Sequence, residues 1–191
     1  MKVLIACEFS GTVRQAFEKK GHYAVSCDLL PTEKAGYHEQ RDVREILDWG
    51  WDLMIAHPPC TDLAISGSRW FKDKVIEQEL GLDFVRMLMN APIPRICIEN
   101  PISVISTKIR QPDQVIQPWQ FDHPEVKATC FWLKGLPRLI PTHKVGGDMF
   151  TPPAPEGRWA RVHRLPPGPD RWKERSRTYG NIAKAMADQW S

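Results

Sequence analysis

The sequence predicts an α/β fold with a mostly parallel β-sheet, and two observations support that prediction. Short apolar segments alternate along the chain with segments of helical periodicity, as in sheets whose strands are joined by helices. Prolines are unevenly distributed, with 3 of the 17 before residue 92 and 14 between residues 92 and 170. We therefore expect regular structure in the first half of the chain and loop-rich structure in the second.

Each predicted element follows from its local sequence. Short apolar runs, typical of buried strands, lie at residues 2–6, 23–27, 52–56, 95–98 and 130–133. A helix is predicted over 12–20, where Val13 and Phe17 share one face and Gly21 follows as a stop signal. A second helix is predicted over 74–90, with an apolar face of Val75, Ile76, Leu80, Phe84, Val85 and Leu88. Residues 180–190 are predicted to form the last helix.

The composition is that of a globular protein, with 42% hydrophobic and 26% charged residues. No apolar run approaches the roughly 18 residues that span a membrane, and residues 1–11 lack a cleavable signal pattern. The five cysteines are widely spaced and include no CxxC pair, so neither a zinc site nor a disulfide framework is expected. We therefore expect a single domain over residues 1–191 that holds no metal and resides in the cytoplasm.

The net charge of +3 conceals an asymmetry along the chain. Residues 1–100 carry a net charge of −3 and residues 101–191 a net charge of +6. Most of the excess lies in residues 158–177, where Trp159, His163 and Trp172 are interleaved with basic residues. This mixture is typical of phosphate contact and base stacking, although a solvated surface loop has the same composition. The basic residues are Arg158, Arg161, Arg164, Arg171, Lys173, Arg175 and Arg177.

Ligands of parallel α/β sheets bind beyond the carboxyl ends of the strands. Chemically distinctive residues follow four of the predicted strands, namely Phe9–Gly11, Asp28, Pro58–Cys60 and Glu99. A glycine after the first strand allows a tight turn, and an aspartate after the second can accept hydrogen bonds from ribose hydroxyls. The pattern predicts one site at this edge, although the GxGxxG fingerprint of dinucleotide-binding proteins is absent.

Cys60 and Glu99 are the candidate catalytic residues. Two prolines fix the backbone before Cys60 and present it as a candidate nucleophile, whereas the usual alternative for cysteine is a buried structural role. Glu99 ends an apolar strand, so we expect burial to raise the pKa of its carboxyl. A neutral carboxyl can then protonate a ring nitrogen. Asn100 can alternatively cap a helix.

The motifs resemble those of the cytosine-5 DNA methyltransferases over most of residues 1–133 and over 176–190. The resemblance is carried, in family order, by Phe9-Ser10-Gly11, Asp42-Val43, Pro58-Pro59-Cys60, Glu99-Asn100 and Gly180-Asn181. It implies a Rossmann-like, doubly wound fold that binds S-adenosylmethionine. The implied activity is methyl transfer to the 5-carbon of cytosine in DNA through a covalent cysteine adduct, with the target base flipped out of the duplex.

The resemblance also implies roles for individual residues. Cys60 would add to the 6-carbon of cytosine, and Glu99 would engage the ring nitrogen and the exocyclic amine. Lys127 stands where the family has an arginine that holds the cytosine oxygen. The implied cofactor-binding residues are Phe9, Gly11, Asp28, Asp42, Pro58 and Asn181.

Several positions depart from the family pattern. Cys7 replaces an acidic residue, Pro101 replaces a valine, and the Gln-x-Arg-x-Arg motif is absent. Residues 134–178 form a Pro-rich, basic insertion in place of a target-recognition domain. We therefore expect this insertion to hold DNA, with short or low sequence specificity unless a homodimer or another partner contributes. Such a compact form would suit a phage or mobile-element protein, by analogy alone.

Three alternatives remain open from the sequence. The same fold could act on a free pyrimidine nucleotide or use a modified S-adenosylmethionine, and Lys127 and His57 are the candidates for contact with an acidic group of such a donor. The chain could instead bind DNA without turnover, although such a protein has no need of Cys60 and Glu99. An unrelated oxidoreductase of Rossmann type is disfavoured by the Pro-Pro-Cys motif and the absent GxGxxG.

Overall fold

The computed structural model describes residues 1–142, 165, 166, 168 and 171–191. The strands are β1 (Lys2–Ala6), β2 (Tyr23–Asp28), β3 (His38–Gln40), β4 (Leu53–Ala56), β5 (Arg95–Pro101), β6 (Gln114–Ile116) and β7 (Thr129–Lys134). The α-helices are α1 (Thr12–Glu18), α2 (Val75–Met89), α3 (Ile105–Lys108), α4 (Arg171–Ser176) and α5 (Gly180–Gln189). Shorter 3₁₀ helices lie at Val43–Glu45, Ile65–Asp73 and Pro118–Phe121.

The sheet confirms the predicted fold class. Its strand order in the described part of the chain is β3-β2-β1-β4-β5-β7-β6. Neighbouring strands from β3 to β5 are parallel, whereas β7 runs antiparallel to both β5 and β6. The order reverses between β1 and β4, which is the switch point of a doubly wound, Rossmann-like sheet.

Alternate strand residues face two different helical layers. Val3 and Ile5 of β1 face a cluster that contains Phe17 of α1 and Met186 of α5. Leu4, between them, faces the opposite cluster, which contains side chains of α2 and α3. Both faces of the sheet are therefore covered, and its carboxyl edge remains available for polar side chains.

The structure corrects three expectations about individual elements. The predicted apolar face of α2 is wrong in its first turns, because Val75, Ile76 and Leu80 are exposed while Leu82, Val85 and Leu88 are buried. Strand β5 continues to Pro101 because β7 pairs with it through that residue. The short strands β3 and β6 were not predicted, since three residues carry too little periodicity to detect.

No helix within the described ranges is long and apolar enough to cross a membrane.

The loop that joins β1 to α1 is stabilised from inside the protein. Glu8, which is 4% exposed, accepts hydrogen bonds from the backbone N–H groups of Val13 at 2.7 Å and Arg14 at 3.2 Å. Gly11 has a φ of 65°, and a Cβ there would lie 2.7 Å from Nη2 of Arg14. The fully buried Arg14 guanidinium is held by the carbonyls of Lys34, Ala35 and Tyr37. Gly11 is thus required by packing against Arg14 as well as by its backbone conformation.

Two glycine substitutions separate the cost of backbone strain from the cost of a collision with Arg14. Gly21 has a φ of 78° and open space where a Cβ would lie. Gly21→Ala should therefore lower the free energy of unfolding by about 1–2 kcal/mol through backbone strain alone. Gly11→Ala should cost more, because it adds a collision with the fixed Arg14 side chain. Urea denaturation followed by circular dichroism measures both, and equal losses would contradict the role given to Arg14.

Candidate active site

The loop after β4 is joined directly to β5 near the carboxyl edge of the sheet. The side-chain amide of Asn100, which is 1% exposed, donates to the carbonyl of Pro58 at 2.9 Å. This bond anchors the Pro58–Cys60 segment beside the end of β5, where Glu99 lies. The pairing explains the burial of Asn100, which has no helix-capping role here because it lies within β5.

Cys60 occupies a tight turn and is partly exposed. Its carbonyl accepts the N–H groups of Leu63 at 3.1 Å and Ala64 at 2.9 Å. Burial raises the pKa of the Cys60 thiol, and the negative charge of Glu99 raises it further, whereas Lys127 and Arg175 lower it. The thiol, the carboxylate and the two cations therefore lie within electrostatic range of one another.

Glu99 lies against His57, with Oε2 at 3.2 Å from Nδ1 of the imidazole. Burial by itself would raise the pKa of Glu99, but the hydrogen bond and charge of His57, together with Lys127 and Thr129, hold it below its ordinary value. The expectation that burial raises this pKa is therefore wrong, because donors on neighbouring elements stabilise the ionised form. The free protein thus holds Glu99 as a carboxylate at neutral pH.

Lys127 reaches the same part of the site from the segment before β7. Its Nζ donates to the carbonyl of Arg177 at 3.3 Å and lies 5.8 Å from the centre of the Tyr179 ring. Glu99, Lys127, Thr129 and Tyr179 line one pocket, together with side chains of β7 and α5. Glu99 and Lys127 thus share one pocket, and Cys60, which does not line it, is linked to both through the effect of their charges on its pKa.

Two acidic residues expected near a cofactor have different environments. Asp28 is the last residue of β2 and is half-buried, and its Oδ1 accepts the N–H of Leu30 at 2.9 Å. Burial raises the pKa of Asp28. Asp42 instead accepts hydrogen bonds from the Arg44 side chain on both carboxylate oxygens, and this contact lowers the pKa of Asp42. The Asp28 carboxylate therefore has more hydrogen-bond acceptor sites available to a ligand than the Asp42 carboxylate does.

Phe9 is covered by residues 171–178, which we call the C-terminal strap. The ring of Trp172 lies 5.8 Å from the ring of Phe9, and the Arg177 guanidinium lies 6.0 Å from it. Arg177 also donates to both carboxylate oxygens of Glu33, at 2.5 and 2.8 Å. Phe9 is consequently only 8% exposed. The strap thus connects the basic part of the chain to the loop after β1.

The predicted DNA-binding residues fall into two groups. Arg171, Lys173 and Arg175 lie on α4, and Arg177 follows in the strap with its guanidinium paired to Glu33. Arg158, Arg161 and Arg164 lie outside the described residues. Their predicted role and the predicted 134–178 insertion therefore stay predictions.

Asn181 lies in the first turn of α5, on the Lys127 side of the site. Its backbone N–H donates to Nε2 of His123 at 3.2 Å, and the His123 ring packs on Tyr179 at 4.9 Å. Tyr179 in turn donates to Glu125 at 2.6 Å. Asn181 thus lies beside the tyrosine that flanks Lys127.

Sequence reasoning gave no role to Glu8 and only a passing one to His57. Glu8 was identifiable in principle, since a carboxylate four residues before the first residue of a predicted helix, Thr12, is suitably placed to accept the first free N–H groups of that helix. His57 directly precedes the Pro-Pro-Cys motif, but no spacing in the sequence indicates its contact with Glu99, 42 positions away. Within the described ranges, no cluster of three His, Cys, Asp or Glu side chains is suited to a metal ion.

Comparisons with known proteins add a structural relationship. No protein-family model matches the sequence, and no curated protein matches it. Among solved structures, a candidate DNA modification methyltransferase encoded within an E. coli prophage is similar, with a TM-score of 0.51 and 14% sequence identity. The similarity covers 76% of this chain and 52% of the other, so the chain spans about half the length of that protein. At this identity the likeness supports the Rossmann-like fold.

The electrostatics of Cys60 predict its reactivity toward iodoacetamide. Because burial and Glu99 both raise the pKa of the thiol, alkylation should be slow at neutral pH and should accelerate as the pH rises. Glu99→Gln removes the negative charge, lowers the pKa and should speed alkylation at neutral pH. Peptide mass spectrometry measures the rate, with the fully buried Cys97 as an internal control. Slower alkylation in Glu99→Gln would contradict this electrostatic coupling.

Proposed function

We propose that this protein transfers a methyl group from S-adenosylmethionine to the 5-carbon of a cytosine in DNA, through a covalent adduct with Cys60. The observation that carries the proposal is the hydrogen bond from Asn100 to Pro58, which holds the Cys60 segment beside β5, where Glu99 lines a pocket with Lys127. Addition to a pyrimidine ring requires a nucleophile, a cation, and a group that can gain and lose a proton.

The proposed chemistry assigns one task to each of these residues. The Cys60 thiolate forms a bond to the 6-carbon, while Glu99, once protonated, donates a proton to the ring nitrogen N3. Lys127 donates to the ring oxygen as a point charge. The 5-carbon is then nucleophilic and accepts the methyl group. The methyl transfer leaves S-adenosylhomocysteine. Water then takes the proton from the 5-carbon, the double bond to the 6-carbon re-forms as Cys60 leaves as a thiolate, and N3 returns its proton to Glu99.

The residues of this edge fit S-adenosylmethionine in part. The cofactor supplies an electrophilic methyl group, and the protein supplies its orientation. Asp28 would hold ribose hydroxyls. Phe9 is covered by the C-terminal strap and Pro58 is buried, so their predicted cofactor contacts would require these side chains to become exposed. Asp42 would have to exchange its bonds to Arg44 before it could bind an adenine amine.

The structural neighbour supports DNA as the substrate, because it is described as a candidate DNA modification methyltransferase. Residues 158–177 provide independent support, since they carry seven basic and two acidic side chains. Such a density of cations matches the spacing of phosphates along a nucleic acid.

Trapping with a mechanism-based substrate tests this proposal. Duplex DNA that contains 5-fluorocytosine cannot release the adduct, because fluorine replaces the proton that must leave the 5-carbon. With S-adenosylmethionine present, the wild-type protein should form a complex that survives denaturing electrophoresis, and Cys60→Ser should form none. Cys130→Ser, at a buried cysteine of β7, is the matched control and should still form the complex. A complex formed by Cys60→Ser would contradict the assigned nucleophile.

The salt dependence of DNA binding tests whether residues 158–177 hold the DNA. Replacement of Arg158, Arg161 and Arg164 by glutamine should weaken DNA binding and reduce the slope of log K against log salt by about 0.9 for each phosphate that the variant no longer neutralises. Fluorescence anisotropy measures the slope. Lys19→Gln, at the exposed end of α1, is the control and should leave it unchanged. An unchanged slope in the triple variant would show that DNA is held elsewhere.

A further inference from the structure

His57 makes a contact that the proposed chemistry has not used. Its Nδ1 lies 3.2 Å from Oε2 of Glu99, and its backbone N–H donates to the carbonyl of Ala6 at 2.9 Å. The side chain is 9% exposed, and Nε2 has no hydrogen-bond partner among the described residues. Buried polar atoms are nearly always paired, so an unpaired ring nitrogen marks a place where a proton or a ligand group is exchanged.

His57 lies between β2 and β5 along the carboxyl edge of the sheet. Its Nδ1 and Nε2 lie on different edges of the imidazole, so Nε2 is directed away from Glu99. His57 also lowers the pKa of Asp28, the last residue of β2. His57, at the end of β4, therefore lies between Glu99 and Asp28, as the strand order requires.

Glu99 needs a proton that it does not hold in the free protein. An ionised carboxylate only accepts hydrogen bonds, whereas the proposed reaction has Glu99 donate to a ring nitrogen. Burial alone would raise the pKa of Glu99, but His57, Lys127 and Thr129 hold it low. A proton must therefore reach Glu99 before Glu99 can donate to the ring nitrogen.

We propose that His57 is a positioning residue that relays a proton to Glu99, an inference that rests on the proposed function. A proton from water in the crevice binds Nε2 as the hydrogen on Nδ1 passes to Oε2 of Glu99, and Glu99 passes a proton to N3 of the base. One proton enters His57 and one leaves it, so its number of protons is the same before and after this step. The thiol proton that Cys60 releases to water balances the proton taken up, so no external acid is consumed.

Other titratable and charged groups face this pair from the neighbouring elements. They are Asp28 at the end of β2, Cys60 after β4, Cys97 on β5, Lys127 before β7, Cys130 on β7 and Arg175 on α4. Burial raises the pKa of the Cys130 thiol to about 11 and that of Cys97 well above its ordinary value, so neither exchanges protons near neutral pH. An imidazole can both accept and release a proton there, and His57 is in contact with Glu99.

Two substitutions test the relay in single-turnover formation of the Cys60 adduct on duplex DNA with 5-fluorocytosine. His57→Asn keeps an amide that can donate to Glu99 but has no second ring nitrogen. It should form the adduct about a hundredfold more slowly, with unchanged affinity for the DNA. His57→Ala should be equally slow, and added imidazole should restore its rate without affecting His57→Asn. Adduct formation by His57→Asn at the wild-type rate, or no rescue of His57→Ala, would overturn the relay.

A measurement on the free protein separates this inference from the proposed function. In ¹⁵N spectra of the imidazole, His57 should carry its hydrogen on Nδ1, and Glu99→Gln should change the signals of both ring nitrogens. If the wild type forms no adduct, the proposed function fails, and these spectra alone decide whether His57 and Glu99 share a proton. Signals that are unaffected by Glu99→Gln would overturn the contact on which the relay depends.

Discussion

The hydrogen bond from Asn100 to the carbonyl of Pro58 is the constraint on which the rest of the site depends. It crosses between adjacent parallel strands and holds the segment after β4 against β5, together with the His57–Glu99 contact and the backbone bonds of residues 63–65 to residues 102–104. Cys60 lies two residues beyond one end of the Asn100–Pro58 bond, and Glu99 lies one residue before the other. The doubly wound sheet provides the two adjacent strands, and this bond keeps the segment that carries Cys60 beside the strand that carries Glu99.

The charged groups of the site have opposing effects on the pKa values of Cys60 and Glu99. Glu99 disfavours the thiolate of Cys60, while Lys127 and Arg175 favour it. The same Lys127, with His57, keeps Glu99 ionised. A free protein arranged in this way holds an unreactive thiol beside a carboxylate, and the proposed chemistry begins only when a base introduces new hydrogen bonds. Such pairs of titratable groups with opposing environments are typical of acid–base sites.

The sequence was sufficient to predict those features of the fold and the site that a local residue pattern determines. Buried strands such as Lys2–Ala6 were predictable from apolar runs, and the positions of Cys60 and Glu99 followed from the strand ends. The face of α2 was misjudged because Val75, Ile76 and Leu80 are apolar yet exposed, which periodicity cannot distinguish from burial. The low pKa of Glu99, the pairing of Arg177 with Glu33 and the His57 contact depend on residues distant in sequence, so only the fold reveals them.

The most direct test of the account is the identity of the product base. Duplex DNA is incubated with the protein and S-adenosylmethionine, digested to nucleosides and analysed by mass spectrometry. We predict deoxycytidine that carries one additional methyl group on the 5-carbon, absent when Cys60→Ser replaces the wild type. A methyl group on an adenine or on an exocyclic nitrogen of cytosine would contradict the account, because neither product requires addition of Cys60 to the ring.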